Sequence, residues 1–167
     1  MSKIFVTLIM AYAYLGYSFV QQYPAVSEDD ITNVKCMLQL INYEGEGAYV
    51  IVSVVDPDGE YLQTLRVLGD DEEWYPDLPT WWSQYSKDKY EIDGITGATI
   101  SGGERSIFAL ALEADWLEKG YKLRFETAVE DQDYHEQDLE IELNKTNLNT
   151  KAEGQGYIRY VRLLASN

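Results

Sequence analysis

Asp93-Gly94-Ile95-Thr96-Gly97-Ala98-Thr99 holds the side chains in this sequence best arranged for chemistry. A carboxylate opens the run and a hydroxyl closes it. Gly97 and Ala98 leave the backbone beside Thr99 unobstructed, and glycine permits a tight turn. Asp93 can fix such a loop by accepting backbone N–H bonds in an Asx turn. The Thr99 hydroxyl then either caps a backbone group or stands open to reaction. Other chemistry is sparse. There is one Cys, Cys36, and one His, His135. A four-ligand Cys/His zinc site cannot be assembled from one such chain. No C-x-x-C-H run offers haem attachment. His135 lies in the acidic stretch Glu130 to Glu136, a poor place to bury a Ser-His-Asp triad. The acid runs Asp70 to Glu73 and Glu28 to Asp30 lack the spaced D-x-D-x-D-G pattern of a calcium loop. No metal site and no catalytic triad are expected.

The elements that position the loop follow from composition and period. The chain has 167 residues, enough for one domain with an appendage. Lys plus Arg is 13 and Asp plus Glu is 29, a formal net charge of −16. Such a surface repels phosphate backbones, so nucleic acid is excluded as a partner. The apolar share of 46% suits a globular chain. Residues 1–27 carry one charged side chain, Lys3, and Ile4 to Val20 carries none. That stretch reaches the lower limit, roughly 17 residues, for a membrane span. Residues 1–20 therefore read as an apolar helix, either a cleaved signal peptide or a membrane anchor through residues 4–20. With Lys3 on the cytoplasmic side, the rest lies outside the cytoplasm. Residues 21–33 read as a linker and 34–167 as the folded domain.

Within that domain the period is two. Strands are expected over Val34 to Asn42, Ala48 to Val55, Glu60 to Leu68, Ser106 to Leu112, Tyr121 to Glu130, Asp138 to Asn144 and Tyr157 to Leu164. Asp56-Pro57-Asp58-Gly59 is a strong turn signal between the second and third. Ala48 to Val55 is nearly continuous and β-branched, the mark of a buried strand. From Tyr121 to Glu130 the alternation puts Arg124, Glu126 and Glu130 on a polar face. Over Asp138 to Asn144 it puts Leu139, Ile141 and Leu143 inside with Asp138, Glu140 and Glu142 outside. The expected fold is mainly β, an antiparallel β-sandwich of about seven strands. A short helix around Leu78 to Tyr85 is expected over one end of a sheet.

Asp93 to Thr99 matches D-x-x-[ST]-G-A-[ST], and so resembles the recognition sequence of bacterial FMN transferases. These attach FMN through a phosphoester to the last Ser/Thr hydroxyl. The resemblance implies Thr99 as the attachment site, with Asp93, Thr96, Gly97 and Ala98 forming its loop, and an FMN transferase as a partner. Trp81, Trp82 and Tyr90 are close in sequence; they either form a hydrophobic mini-core closing one end of the sandwich or offer the flavin an aromatic surface. A wider resemblance covers most of residues 34–130. It runs through D-P-D-G, T-L-R-V-L-G, the Trp81-Trp82 segment, D-G-I-T-G-A-T and G-Y-K-L-R-F-E. It looks like a family of predicted periplasmic proteins of unknown function, whose members often accompany PepSY-type membrane proteins and flavin transferases. The chain departs from that pattern after the motif, where Ile100-Ser101-Gly102-Gly103 stands and Asp115-Trp116 lacks a following Gly.

Two functions are consistent with these residues. The first is an extracytosolic electron-transfer accessory protein, held at the outer face of the cytoplasmic membrane and carrying covalent FMN on Thr99. It would serve a membrane redox partner and have no substrate of its own. The second is a cofactor-free structural subunit docking on a membrane protein complex.

Overall fold

A computed structural model describes residues 31–165. The apolar helix expected over residues 1–20, and residues 21–30 of the linker, lie outside the described residues. The strands in chain order are β1 (Ile31–Leu40), β2 (Tyr49–Val55), β3 (Tyr61–Leu68), β4 (Thr96–Gly97), β5 (Arg105–Glu113), β6 (Lys122–Ala128), β7 (Tyr134–Glu142), β8 (Lys151–Ala152) and β9 (Ile158–Ala165). One α-helix, α1 (Pro79–Asp88), stands between β3 and β4. Ile31 to Asn33, read as linker, already pair with β5 and begin the first strand. Among the described residues no helix is long and apolar enough to cross a membrane.

The strands form two sheets, in the orders β5-β1-β9-β8 and β4-β3-β2-β6-β7. Alternate residues of each turn inward, as one-sided period-two patterns require. Cys36, Leu38, Phe108, Leu110, Val161 and Leu163 of the first sheet meet Val50, Val52, Val54, Leu123, Phe125 and Ile141 of the second. This is the expected sandwich, and all pairs but one are antiparallel. The exception is β4, which runs parallel to the end of β3. A connection containing a helix lets the chain return to the same end of the sheet, which parallel pairing needs.

Every residue of β2 is buried. The even-numbered valines face the sandwich interior. On the opposite face Tyr49 and Ile51 lie under a second core made with Tyr75, Leu78, Trp81, Tyr85 and Ile92. Residues 72–95 thus form a third layer over the outer face of the five-stranded sheet, not a cap over one end. Pro79 starts α1 at the first helical position, where its missing N–H costs nothing. Trp81 is wholly buried and stacks on Tyr85 at 5.0 Å. Its indole Nε1–H donates to Thr64 Oγ1 at 2.8 Å.

The third layer corrects the polar face expected of β6. Glu126 points outward from the sheet, yet it is only 2% exposed because α1 covers it. Leu78 gives α1 no side-chain cap. Instead Glu126 Oε2 accepts the Trp81 backbone N–H at 3.2 Å and the Tyr134 hydroxyl at 2.8 Å. A carboxylate from the strand below thus serves an orphan donor in the first helical turn. Burial pushes its pKa up to about 7, against the lowering pull of these donors and Arg124.

Asp138, expected outside, is also buried. The β6–β7 ladder shifts register between Phe125 and Thr127, so Asp138 and Leu139 both turn inward. Asp138 gathers four donors. Its Oδ1 accepts from the N–H groups of Gln155 (3.0 Å) and Gly156 (2.8 Å). Its Oδ2 accepts from Ile158 N–H (2.9 Å) and Thr127 Oγ1 (2.7 Å). The same bulged strand begins at Tyr134, so His135 belongs to β7 and not to a loop. It is half-buried, with its ring 5.2 Å from that of Tyr157.

Two outcomes follow for stability. Asp138→Ala leaves the Gly156 and Ile158 N–H groups and the Thr127 hydroxyl without their acceptor, while Gln155 N–H keeps the backbone carbonyl of residue 138 at 2.8 Å, and it should cost on the order of 3 kcal/mol in denaturant unfolding. A loss below about 0.5 kcal/mol would contradict the clamp. For Glu126 the folded chain retains a proton, up to about pH 7, that the unfolded chain has already released. Stability therefore falls as pH rises through that window. Glu126→Gln keeps the acceptor oxygen and removes the titration. Relative to the parent, it should gain on the order of 3 kcal/mol between about pH 5 and about pH 8. Parallel stability–pH curves for the two would contradict the buried carboxylate.

Candidate functional site

The motif loop begins where the third layer ends. Asp93–Ile95 forms one 3-10 turn, closed by the Thr96 N–H donating to the Asp93 carbonyl. The expected Asx turn is absent from this closure, and the exposed Asp93 side chain accepts no backbone N–H among the described residues. Thr96 holds the loop instead, its hydroxyl donating to the Ile92 carbonyl at 2.9 Å. Thr96 and Gly97 then pair with Val67 and Leu68 as β4, and Gly69 N–H donates to the Gly97 carbonyl at 2.6 Å. A Cβ on Gly97 would lie 2.7 Å from Arg66 Nη2, so glycine leaves room for the guanidinium beside the loop.

Ala98 is exposed. Beyond Thr99 the chain is pinned again, because Ile100 and Ala48 exchange two backbone hydrogen bonds of 2.7 and 3.1 Å. Ala98 and Thr99 therefore span the gap between two fixed points. Thr99 is half-buried, and among the described residues its hydroxyl has no hydrogen-bond partner. A Cβ on Gly47 would lie 2.3 Å from Thr99 Oγ1. Gly47 is thus what gives this hydroxyl its space.

Thr99 lines a cleft of about 150 Å³ with Glu46, Gly47, Tyr49, Asp71, Trp74 and Glu130. Tyr49 donates its hydroxyl to the Asp71 carbonyl at 3.2 Å. The mouth is acidic. The Glu130 pKa is lifted by desolvation and by the carboxylates of Asp131, Glu46, Asp77 and Glu73. Among the described residues no group of three or more His, Cys, Asp or Glu is placed to hold a metal. Cys36 is buried in the sandwich core, which pushes its thiol up to about 12.

The aromatics named from the sequence lie elsewhere. Trp81 is sealed under α1, and Trp82 is half-buried with Lys89 Nζ 5.7 Å from its ring centre. Tyr90 is 38% exposed and donates to Thr64 Oγ1 at 2.8 Å. It lines a separate cleft of about 430 Å³ with Tyr61, Leu62, Gln63 and Ile95. Thr64 and Leu68 are roughly 13 Å apart along β3, and Thr99 lies past the Leu68 end. The aromatics that line the Thr99 cleft are Tyr49 and Trp74. Gly47, Glu46 and Glu130 join the site from distant loops. The Glu44-Gly45-Glu46-Gly47 run signals a turn in the sequence, but nothing in it signals contact with Thr99.

Thr99 could hold a flavin phosphate as an ester, since among the described residues its hydroxyl is unbonded and Gly47 and Ala98 beside it are small. The cleft falls below the roughly 300 Å³ at which ligand-enclosing pockets begin. A flavin tethered there would keep its ring largely outside, against Tyr49 and Trp74 at most.

No curated protein and no solved structure matches the chain. One family does, described as a predicted periplasmic protein (DUF2271), and it covers residues 31–160. The chain therefore belongs to this DUF2271 family of predicted periplasmic proteins.

Proposed function

We propose that the protein is an extracytosolic electron-transfer accessory that carries FMN covalently on Thr99. The observation carrying this reading is the free hydroxyl of Thr99, held on a short exposed span between the β4 pairing and the Ile100–Ala48 bridge. An acceptor for a transferase must be reachable without unfolding, and this span is at the sheet edge. In the attachment step the Thr99 oxygen bonds to the FMN-side phosphorus of a flavin dinucleotide. The pyrophosphate bond breaks, AMP leaves with its electron pair, and the hydroxyl proton is released. No oxidation or reduction occurs in that step.

The bound flavin supplies the redox chemistry, and the protein tunes it. A ring left outside a small cleft can exchange electrons with a membrane partner by contact. The carboxylates of Glu46, Asp71 and Glu130 disfavour a negatively charged reduced flavin and so lower its potential.

The reading is tested by producing variants alongside an active FMN transferase and reading covalent flavin by in-gel fluorescence after denaturation. Thr99→Ser keeps the hydroxyl and should stay fluorescent. Thr99→Val is nearly isosteric and should be dark. Gly47→Ala pushes on Thr99 Oγ1 and should lower the labelled fraction with the fold intact. A fluorescent Thr99→Val chain would refute the assignment.

A further inference from the structure

We propose that the free edge of β5 pairs with the β5 edge of a second copy of this chain. Among the described residues β5 is an outer strand, bonded only to β1, and its ladder runs from Arg105 to Glu113 without a register shift. The other edges are less regular: β4 and β8 are two residues each and pair only with Val67–Leu68 of β3 and Val161–Arg162 of β9, and β7 is bulged and acidic. Residues 105–113 contain no Pro, Gly or Lys, the usual protections of an exposed edge. On the outer face of β5, Arg105, Ile107, Ala109 and Ala111 are all exposed, Ile107 at 54%.

The hydrogen-bond phase completes the argument. Leu40 N–H donates to the Glu104 carbonyl, in register with the β1–β5 ladder. Even-numbered residues of β5 therefore bond to β1, and odd-numbered residues aim their N–H and C=O groups at the free edge. A second β5 laid antiparallel, with Ala109 opposite Ala109, satisfies these groups on both strands. That register sets Ile107 opposite Ala111 and Arg105 opposite Glu113. The two charges at the strand ends are complementary and occur twice about the two-fold axis, as an isologous contact requires. In the single copy the Arg105 guanidinium donates instead to Gln39 Oε1 (3.1 Å) and the Tyr160 hydroxyl (3.0 Å), and pairing turns it to Glu113. The result is one continuous eight-stranded sheet across two copies.

Cysteine cross-linking in the full chain tests this register. Directly opposite residues in such a pair have Cα atoms about 5.5 Å apart, within disulfide reach. Only position 109 faces itself; two copies of position 111 stand roughly 14 Å apart. Cys36 is buried and does not compete. Under mild oxidation Ala109→Cys should give a covalent dimer and Ala111→Cys should not. In the Ala109→Cys chain, Arg105→Glu or Glu113→Arg should reduce cross-linking several-fold, and the double exchange should restore it. The absence of dimer from Ala109→Cys, equal dimer from both positions, or no restoration by the double exchange would each overturn the proposal.

Discussion

β2 has no solvent face, and much of the rest follows from that. A sandwich covers only one side of each sheet. The outer face of the five-stranded sheet presents Tyr49, Ile51, Val67 and Ala128, which need a cover of their own. Residues 72–95 supply it with Tyr75, Leu78, Trp81, Tyr85 and Ile92. Each fully buried side chain of this kind contributes roughly 1.5–3 kcal/mol. Having crossed the sheet, the chain must come back to an edge. It does so as β4, and the two residues after β4 are Ala98 and Thr99. The Thr99 hydroxyl lies where it does because the cover ends there.

The same layer explains the placement of Glu126. Covering the sheet buries a carboxylate that strand alternation alone would leave in water. Its two donors, one from α1 and one from Tyr134, tie the cover to the strands beneath. Burial still outweighs them and raises the pKa. Asp138 is a different case. It is reached by a bulge, and its four donors fix the loop that leads into β9.

Strand positions were legible in the sequence because period two and turn residues are local signals. Ala48 to Val55 even announced burial on both faces, through its unbroken β-branched run. What covered its second face was not legible. The clustered Trp and Tyr residues signalled a packed aromatic group, but whether their rings face a ligand or a sheet depends on long-range packing. Trp81 suits either reading in the sequence, and in the fold it fills a core. Glu126 and Asp138 were misplaced for related reasons, one through an unseen third layer and one through an unseen bulge. The motif loop was legible as a loop. Its pinning by β3 and Ala48, and the room that Gly47 gives Thr99, join residues far apart in sequence.

The central claim is that this fold presents Thr99 for covalent attachment of FMN. Its most direct test is the mass of the Tyr90 to Arg105 tryptic peptide from natively produced protein. The account predicts a gain of one FMN less one water, with fragmentation assigning it to Thr99. An unmodified peptide, from cells whose transferase labels another acceptor in the same sample, would contradict it.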